Sequence, residues 1–119
     1  MRTADKNIVY GMCTIGESGR ILDRTMPAAA GWHPGSRLEV RCLDEGVLLV
    51  SDAVDVEAAD TAVTAGRFFR IPYRQRRRTS LFIDDRALLI GHRARRRLLI
   101  RPAATLDEVF STCLRLLEQ

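Results

Sequence analysis

Two pairs of short segments carry a strand-like pattern of apolar and polar residues, and each pair predicts a β-hairpin. Residues 37–42 alternate strictly, and the apolar residues 47–50 follow after a connection that ends in a Glu-Gly dipeptide, which is typical of hairpin turns. Residues 86–91 and 97–100 repeat this arrangement later in the chain. The hydrophobic pattern therefore predicts a mainly β fold with at least two hairpins.

Shorter elements precede the first hairpin. Residues 10–15 and 20–22 predict two strands, because a turn signal, Gly-Glu-Ser-Gly, separates them at residues 16–19. Residues 25–30 predict a short helix, since proline is tolerated in a first helical turn and alanine favours helix. Gly31 is a typical residue to end that helix.

The same order of elements recurs in the second half of the chain. Residues 66–69 (Gly-Arg-Phe-Phe) echo residues 19–22 (Gly-Arg-Ile-Leu), 47 positions earlier, and residues 72–78 take the place of the short helix. A repeated unit of this length usually cannot bury its apolar face alone. We therefore expect a single domain over residues 1–119 in which two units, residues 7–52 and residues 61–102, pack around one core.

An amphipathic helix is predicted at the end of the chain, over residues 105–118. Thr105 followed by Glu108 fits a capping box, and apolar residues recur at helical spacing behind it. The apolar face has two interpretations: it packs on the rest of its own chain, or it forms an oligomerisation or docking surface such as a dimer interface. The residues of this face are Leu106, Val109, Phe110, Cys113 and Leu117.

Charge is distributed unevenly along the chain. Residues 1–60 carry a net charge of −4, whereas residues 61–119 carry +8, so the chain can orient a polyanion toward its second half. Six of these arginines lie within the twelve positions 67–78, and an unpaired guanidinium is costly in a core. Because the guanidinium fork fits phosphate oxygens and guanine edges, the cluster predicts nucleic-acid binding. A solvated charged face is the alternative, with an acidic protein or a membrane surface as a further one.

Other function classes find no support in the residue pattern. The three cysteines, Cys13, Cys42 and Cys113, are odd in number and widely spaced, which argues against disulfides or a zinc knuckle and favours a reducing compartment. His33 and His92 are isolated, and no catalytic motif is present. No apolar run approaches the roughly 18 residues of a membrane span. We therefore expect no enzyme activity, no cofactor, no metal, no small-molecule substrate and no membrane association.

Two stretches, residues 14–24 (TIGESGRILDR) and residues 30–40 (AGWHPGSRLEV), resemble the AbrB/MazE/SpoVT superfamily of swapped-hairpin DNA-binding domains. The shared pattern is Gly-Arg on a strand, a short helix that ends in Leu-Gly-aromatic, then Pro-Gly and an Arg-led hairpin. Here Ala30 stands at the usual leucine, and the second half shows Thr-Ser-Leu-Phe-Ile at residues 79–83 in place of the Gly and the Pro-Gly. Two such units over about residues 8–102 resemble the tandem arrangement of MraZ proteins and of tandem AbrB-like regulators of actinobacteria.

The resemblance implies two tandem ββαββ units that form a pseudo-twofold swapped-hairpin barrel. It also implies a cytoplasmic, nucleoid-associated transcriptional regulator that binds double-stranded DNA sequence-specifically through arginines around its Gly-Arg strands and short helices. Hairpin turns point away from DNA in the family, so residues 93–97 stay outside the set. The alternative is an antitoxin-like or other protein-interaction module that uses the C-terminal helix. The predicted DNA-binding residues are Arg20, Arg24, Arg67, Arg70, Arg74, Arg76, Arg77 and Arg78.

Overall fold

Six strands form one antiparallel sheet in the computed structural model, which describes residues 5–43 and 46–119. The strand order is β1-β5-β6-β3-β2-β4. The strands are β1 (Ile8–Thr14), β2 (Arg37–Cys42), β3 (Leu48–Asp52), β4 (Thr61–Ala62), β5 (Arg86–His92) and β6 (Arg97–Pro102), the helices are α1 (Thr25–Ala29), α2 (Tyr73–Arg78), α3 (Leu106–Val109) and α4 (Ser111–Leu117), and 3-10 turns occupy Glu17–Gly19 and Ala103–Thr105. The predicted mainly β architecture with short helices is confirmed.

The two halves of the chain exchange elements across the middle of this sheet. The predicted hairpins are present as β2–β3 and β5–β6, and they meet through β3 and β6. β1 of the first half pairs with β5, and β4 of the second half pairs with β2. The helices follow the same rule, because α1 packs on β5 and α2 packs on β2. Among the described residues the sheet is open, with β1 and β4 at its two edges.

One of the predicted strands needs correction, and one predicted turn is not tested. Residues 20–22 were expected to form a strand, but Arg20 and Ile21 make only isolated bridges, to Arg70 and Ile15 respectively. The chain crosses residues 69–71 of the other half there, and among the described residues the bridges of this segment are limited to the crossing and to Ile15. Asp44 and Glu45, in the predicted turn of the first hairpin, lie outside the described residues.

Alternation along the strands builds the core. Leu38, Val40, Leu48 and Val50 face inward from the first hairpin, and every second residue between them faces outward. Trp32, which follows the helix-ending Gly31, is 4% exposed, stacks edge-to-face on Phe69 at 6.2 Å between ring centroids, and donates from Nε1 to the Asp52 carboxylate at 3.1 Å. The second half contributes Phe69, Ile71, Leu81, Ala87, Leu89, Leu98 and Ile100, all at most 1% exposed.

The same backbone turns recur in both halves with different residues. Four glycines of the first half have positive φ, and each has a non-glycine counterpart with positive φ at an offset of 48 to 50 residues. Equivalent turn hydrogen bonds support the match, since Gly19 N donates to Gly16 O and Arg67 N to Thr64 O. The loops that lack the Gly and the Pro-Gly therefore keep the geometry of the first half. The pairs are Gly19 and Arg67, Gly31 and Ser80, Gly35 and Asp84, and Gly46 and Arg96.

The end of the chain departs from the predicted single helix. It forms two short helices, α3 and α4, that are separated at Phe110 (φ −103°, ψ 19°). The capping box is also wrong, because the Thr105 hydroxyl donates to the carbonyl of Pro102 at 2.8 Å and caps no helical N–H. Thr105 has helical dihedrals in place of the extended ones of a cap residue. No helix of the described residues is long and apolar enough to cross a membrane.

Candidate nucleic-acid interface

The two halves cross where Gly19–Ile21 meets Phe69–Ile71. Ile21 N donates to Phe69 O and Ile71 N donates to Gly19 O, both at 2.9 Å, so Arg20 and Arg70 are paired across the crossing. Ile21 and Ile71 are fully buried. Because side chains alternate along extended backbone and directly paired residues share a face, Arg20 and Arg70 point away from the core on the same side of the pair. The structure thus brings one arginine from each half together.

Phe68 extends this pair into a cluster. The guanidinium carbon of Arg20 lies 5.6 Å from the centroid of the Phe68 ring, and that of Arg24 lies 4.8 Å from it. Contacts at these distances are attractive cation–π interactions that limit the movement of both side chains. Arg67 precedes Phe68 and, together with Arg24, lines a shallow pocket against Trp32. We call Arg20, Arg24, Arg67 and Arg70 the crossing cluster.

Helix α1 begins beside this cluster through a short side-chain contact. The Asp23 carboxylate accepts hydrogen bonds from the backbone N–H groups of Thr25 at 2.8 Å and Met26 at 3.0 Å. Asp23 therefore satisfies the first turn of α1, as aspartate near a helix start commonly does. It forms no ion pair with the neighbouring Arg24, whose guanidinium lies against Phe68.

A second group of arginines lies on α2. Arg74, Arg77 and Arg78 are exposed, and Arg74 and Arg78, one helical turn apart, line a cleft of about 390 Å³ together with Arg41 of β2. Arg41 was not predicted as a site residue. Its only signal in the sequence is an outward position in an alternating strand, which every exposed residue of that strand shares. We call Arg41, Arg74 and Arg78 the cleft arginines.

Arg76 is the exception among the predicted DNA-binding residues. It is 8% exposed, its Nε donates to the carbonyl of Ile71 at 2.9 Å, and its guanidinium lies 5.6 Å from the Tyr73 ring centroid. Gly19 makes room for it, because a Cβ there would overlap both Arg76 Nε and Ile71 O. Arg76 therefore ties α2 to the crossing and is removed from the predicted DNA-binding set. The other five arginines of residues 67–78 are exposed, in agreement with the expectation that the cluster cannot all be buried.

Carboxylates do not neutralise these groups. Within residues 5–43 and 46–119 the ion pair is Arg96–Asp52, where Arg96 Nε and NH2 donate to the carboxylate at 2.8 and 3.0 Å. The hydrogen bonds and charge of Arg96 hold the pKa of Asp52 below its usual value, and Asp52 raises the pKa of Arg96. None of the crossing cluster or the cleft arginines has a carboxylate within 4.0 Å in this part of the chain.

The predicted docking residues are not covered by the chain itself. Leu106 is half-buried, whereas the other four, Val109, Phe110, Cys113 and Leu117, are exposed, with Leu117 at 81%. The packing of this face on its own chain, which was one of the two interpretations, is therefore not what the structure contains. The other interpretation, an oligomerisation or docking surface, stays a prediction.

The remaining polar groups have local roles. His33 contacts the carbonyl of Pro34 through Nδ1 at 3.1 Å, and His92 Nδ1 accepts from the backbone N–H of Arg95 at 3.1 Å. Burial and the charge of Asp23 raise the pKa of Cys13 to about 11, so this thiol stays protonated. In the described part of the chain no three His, Cys, Asp or Glu residues are grouped in a way that could hold a metal ion.

Comparison of the chain with protein-family models, with curated proteins and with solved structures finds no match to any of them. The arrangement of the arginines and the exchange of elements between the halves are therefore the features that bear on function.

Proposed function

We propose that the protein binds double-stranded DNA sequence-specifically, as a transcriptional regulator on the nucleoid. The observation that supports this most is the crossing cluster, in which Arg20 and Arg24 lie on Phe68 of the other half and Arg20 is paired with Arg70, with no carboxylate partner in the described residues. A guanidinium without an internal counter-charge gains most from a polyanion whose phosphates are regularly spaced.

The proposal gives the two groups of arginines different tasks. The crossing cluster is held in place by Phe68 and by the backbone pairing of Arg20 with Arg70, which suits contacts to base edges that need fixed geometry. The cleft arginines lie on an exposed helix and a sheet edge, where they suit phosphate contacts that fix the orientation of the duplex. Together the two groups of arginines supply recognition of the bases and positioning of the duplex.

We also propose that the chain is a single-chain version of the swapped-hairpin DNA-binding fold. The exchange of β1 and β4 between the hairpins, and of α1 and α2 with them, supports this reading. In a two-chain protein of that kind the exchange joins two subunits, whereas here a connector around residues 53–60 joins the two halves. The pseudo-twofold crossing would then sit over the duplex as a dimer axis does.

The test is a titration of random-sequence and selected duplexes at several salt concentrations. Neutralising about six phosphates predicts a slope of log K against log salt near −5. The variant Arg24→Glu/Arg70→Glu should lose at least about tenfold in affinity, because two charges of the crossing cluster are reversed. The control is Arg93→Glu/Arg95→Glu, with the same change in net charge at an exposed hairpin turn.

Two results would contradict the proposal. The first is duplex binding that ignores salt or is lost equally in both variants, since net charge alone would then account for it. The second is equal affinity for every duplex in a selection from random sequences, which would leave a charged surface without sequence readout.

A further inference from the structure

The face of the sheet that points away from the core carries an uncovered apolar row. Tyr10 of β1 pairs with Ile90 of β5, Ile90 with Leu99 of β6, and Leu99 with Leu49 of β3, so four apolar side chains stand side by side across four strands. Tyr10 is 70% exposed and the other three are half-buried. An apolar groove of about 260 Å³ lies on this row. We call these four residues the outer row.

The C-terminal tail, residues 106–117, is the second uncovered apolar element. Phe110 and Leu117 are exposed, as are Val109, Leu114 and Leu116. The helical residues of α3 and α4 extend about 16 Å at 1.5 Å per residue, and four strands at 4.8 Å are about 14 Å wide between the outermost strands. The tail is therefore long enough to lie across the whole outer row.

The charges around the two surfaces are opposite in sign. Arg97 and Arg101 flank Leu99 on the same face of β6, and Arg41 ends the row beyond Leu49. The tail and the residue after it carry three acids, Asp107, Glu108 and Glu118, against Arg115. In the described residues the Nε atom of Arg101 is buried without a hydrogen-bond partner, which is costly unless a partner group supplies an acceptor.

We propose that the tail of one copy docks on the outer row of a second copy, and that the reciprocal contact closes a homodimer. Each chain offers one acidic apolar element and one basic apolar face, and its own tail leaves its own face uncovered. Two such contacts related by a twofold axis form a closed assembly and leave neither surface exposed. Carboxylates of the incoming tail face Arg97, which is exposed beside Leu99. The crossing cluster is not part of this interface.

The first experiment measures the mass of the intact chain by light scattering across a concentration series. We expect a dimer that dissociates on dilution, and both Phe110→Asp/Leu117→Asp and Tyr10→Asp should raise the dissociation constant at least about tenfold, because an ionised carboxylate is costly in an apolar interface. All three positions are exposed in the single chain, so circular dichroism should be unchanged. The control is Val54→Asp, an equally exposed apolar residue (85%) on the connector.

The second experiment mixes the two defective variants. A copy with an intact tail and Tyr10→Asp can dock on the intact face of a copy with Phe110→Asp/Leu117→Asp. The mixture should therefore form a heterodimer at a concentration at which each variant alone is a monomer. Arg97→Glu and Glu118→Arg should weaken the dimer singly and restore it in part when combined across two copies.

A monomeric intact chain at the highest soluble concentration would overturn the proposal. A dimer that is unaffected by both the tail and the Tyr10 variants would overturn it as well, since another surface would then join the copies. If the mixed variants stay monomeric while each variant is folded, the tail does not dock on a second copy. Each of these results leaves duplex binding by the crossing cluster untouched, so the two proposals fail separately.

Discussion

The two halves of the molecule share a backbone and differ in surface chemistry. Each half has a crossing segment, a short helix and a hairpin, and the four positive-φ glycines of the first half have counterparts with positive φ in the second. The first half places glycine at these positions and has a helix without arginine, Thr25–Ala29. The second half places Arg, Ser and Asp there and has an arginine-rich helix, Tyr73–Arg78. The turns of the two halves have equivalent backbone hydrogen bonds, whereas the excess of positive charge lies on the second half.

The two edges of the sheet differ in the length of their strand pairing. β1 pairs with β5 over seven residues, whereas β4 pairs with β2 over two. The open edge of β2 is satisfied by side chains, since Asp60 accepts from Val40 N at 2.7 Å and Gln75 Nε2 donates to Val40 O at 3.4 Å. The cleft that Arg41, Arg74 and Arg78 line lies between this part of β2 and helix α2.

The largest expected effect comes from Gly19, compared with Arg67 at the equivalent position of the second half. We expect Gly19→Ala to lower the free energy of unfolding by about 3 kcal/mol, because a Cβ is strained at φ +83° and overlaps Ile71 O and Arg76. Arg67→Ala, at the equivalent position where a side chain is already present, should change it by less than about 0.5 kcal/mol. Urea denaturation of both variants measures the difference. Equal losses would show that the two positions are not distinguished by packing.

The next effect concerns the two helices. Removing the α2 charges in Arg74→Ala/Arg77→Ala/Arg78→Ala should weaken duplex binding at least about tenfold and make the salt slope less steep by about 2 to 3. Exchanging Ala28 for Arg on α1, at an exposed site, should restore part of the lost affinity only if the two helices approach the duplex equivalently. Filter binding or fluorescence anisotropy at two salt concentrations separates these outcomes, and an unchanged slope would remove α2 from the interface.

A smaller effect tests the hairpin turns. Arg96 of the second turn binds Asp52, whereas its counterpart Gly46 has no side chain. Since the pKa of Asp52 is lowered in the folded protein, the pair stabilises the fold above the carboxyl's ordinary value and is lost as pH falls through the folded value. Asp52→Asn should therefore cost on the order of 1 kcal/mol or less at pH 7, given the exposure of the pair, and the difference should shrink in acid. A pH-independent difference would assign the loss to the Trp32 hydrogen bond.

The smallest expected effect on the free energy of unfolding comes from exchanging glycine and non-glycine residues at the matched turns. Ser80→Gly should raise the free energy of unfolding by about 0.5 kcal/mol, because glycine relieves the left-handed backbone at φ +54° and the gain is partly offset by its flexibility when unfolded. At another matched turn, where Gly35 corresponds to Asp84, Gly35→Ala should cost about 1 kcal/mol from φ +94° alone, since a Cβ there meets no other atom. Thermal denaturation of the pair measures both, and a stabilised Gly35→Ala would contradict the strain argument.

Local patterns predicted the elements well where the physical cause is local. Strict alternation in residues 37–42 and the apolar run in residues 86–91 led to the observed hairpins, and Gly31 ends α1 as expected, with φ +81°. The Thr105 capping box failed because a competing acceptor, the carbonyl of Pro102, lies within reach of the hydroxyl. A side chain with two accessible partners cannot be assigned from spacing alone.

The candidate site divides along the same line. The clustering of arginines in residues 67–78 was visible in the sequence, but Arg76 is buried beneath its neighbours because Gly19, far away in the chain, leaves space for it. Arg41 joins Arg74 and Arg78 only because α2 packs on β2. Neither fact follows from periodicity, since each depends on residues from the other half.

The sequence by itself determined the two hairpins, the two short helices that precede them and the excess of positive charge in the second half, because each depends on local spacing or on residue counts. Only the tertiary structure decided that Arg20 meets Arg70, that Phe68 holds Arg20 and Arg24, and that the tail leaves its apolar face uncovered. The first two are contacts between segments about 50 residues apart. The third is the exposure of an apolar face, which depends on how the tail packs on the rest of the chain. Long-range packing, rather than local preference, sets which groups share a surface.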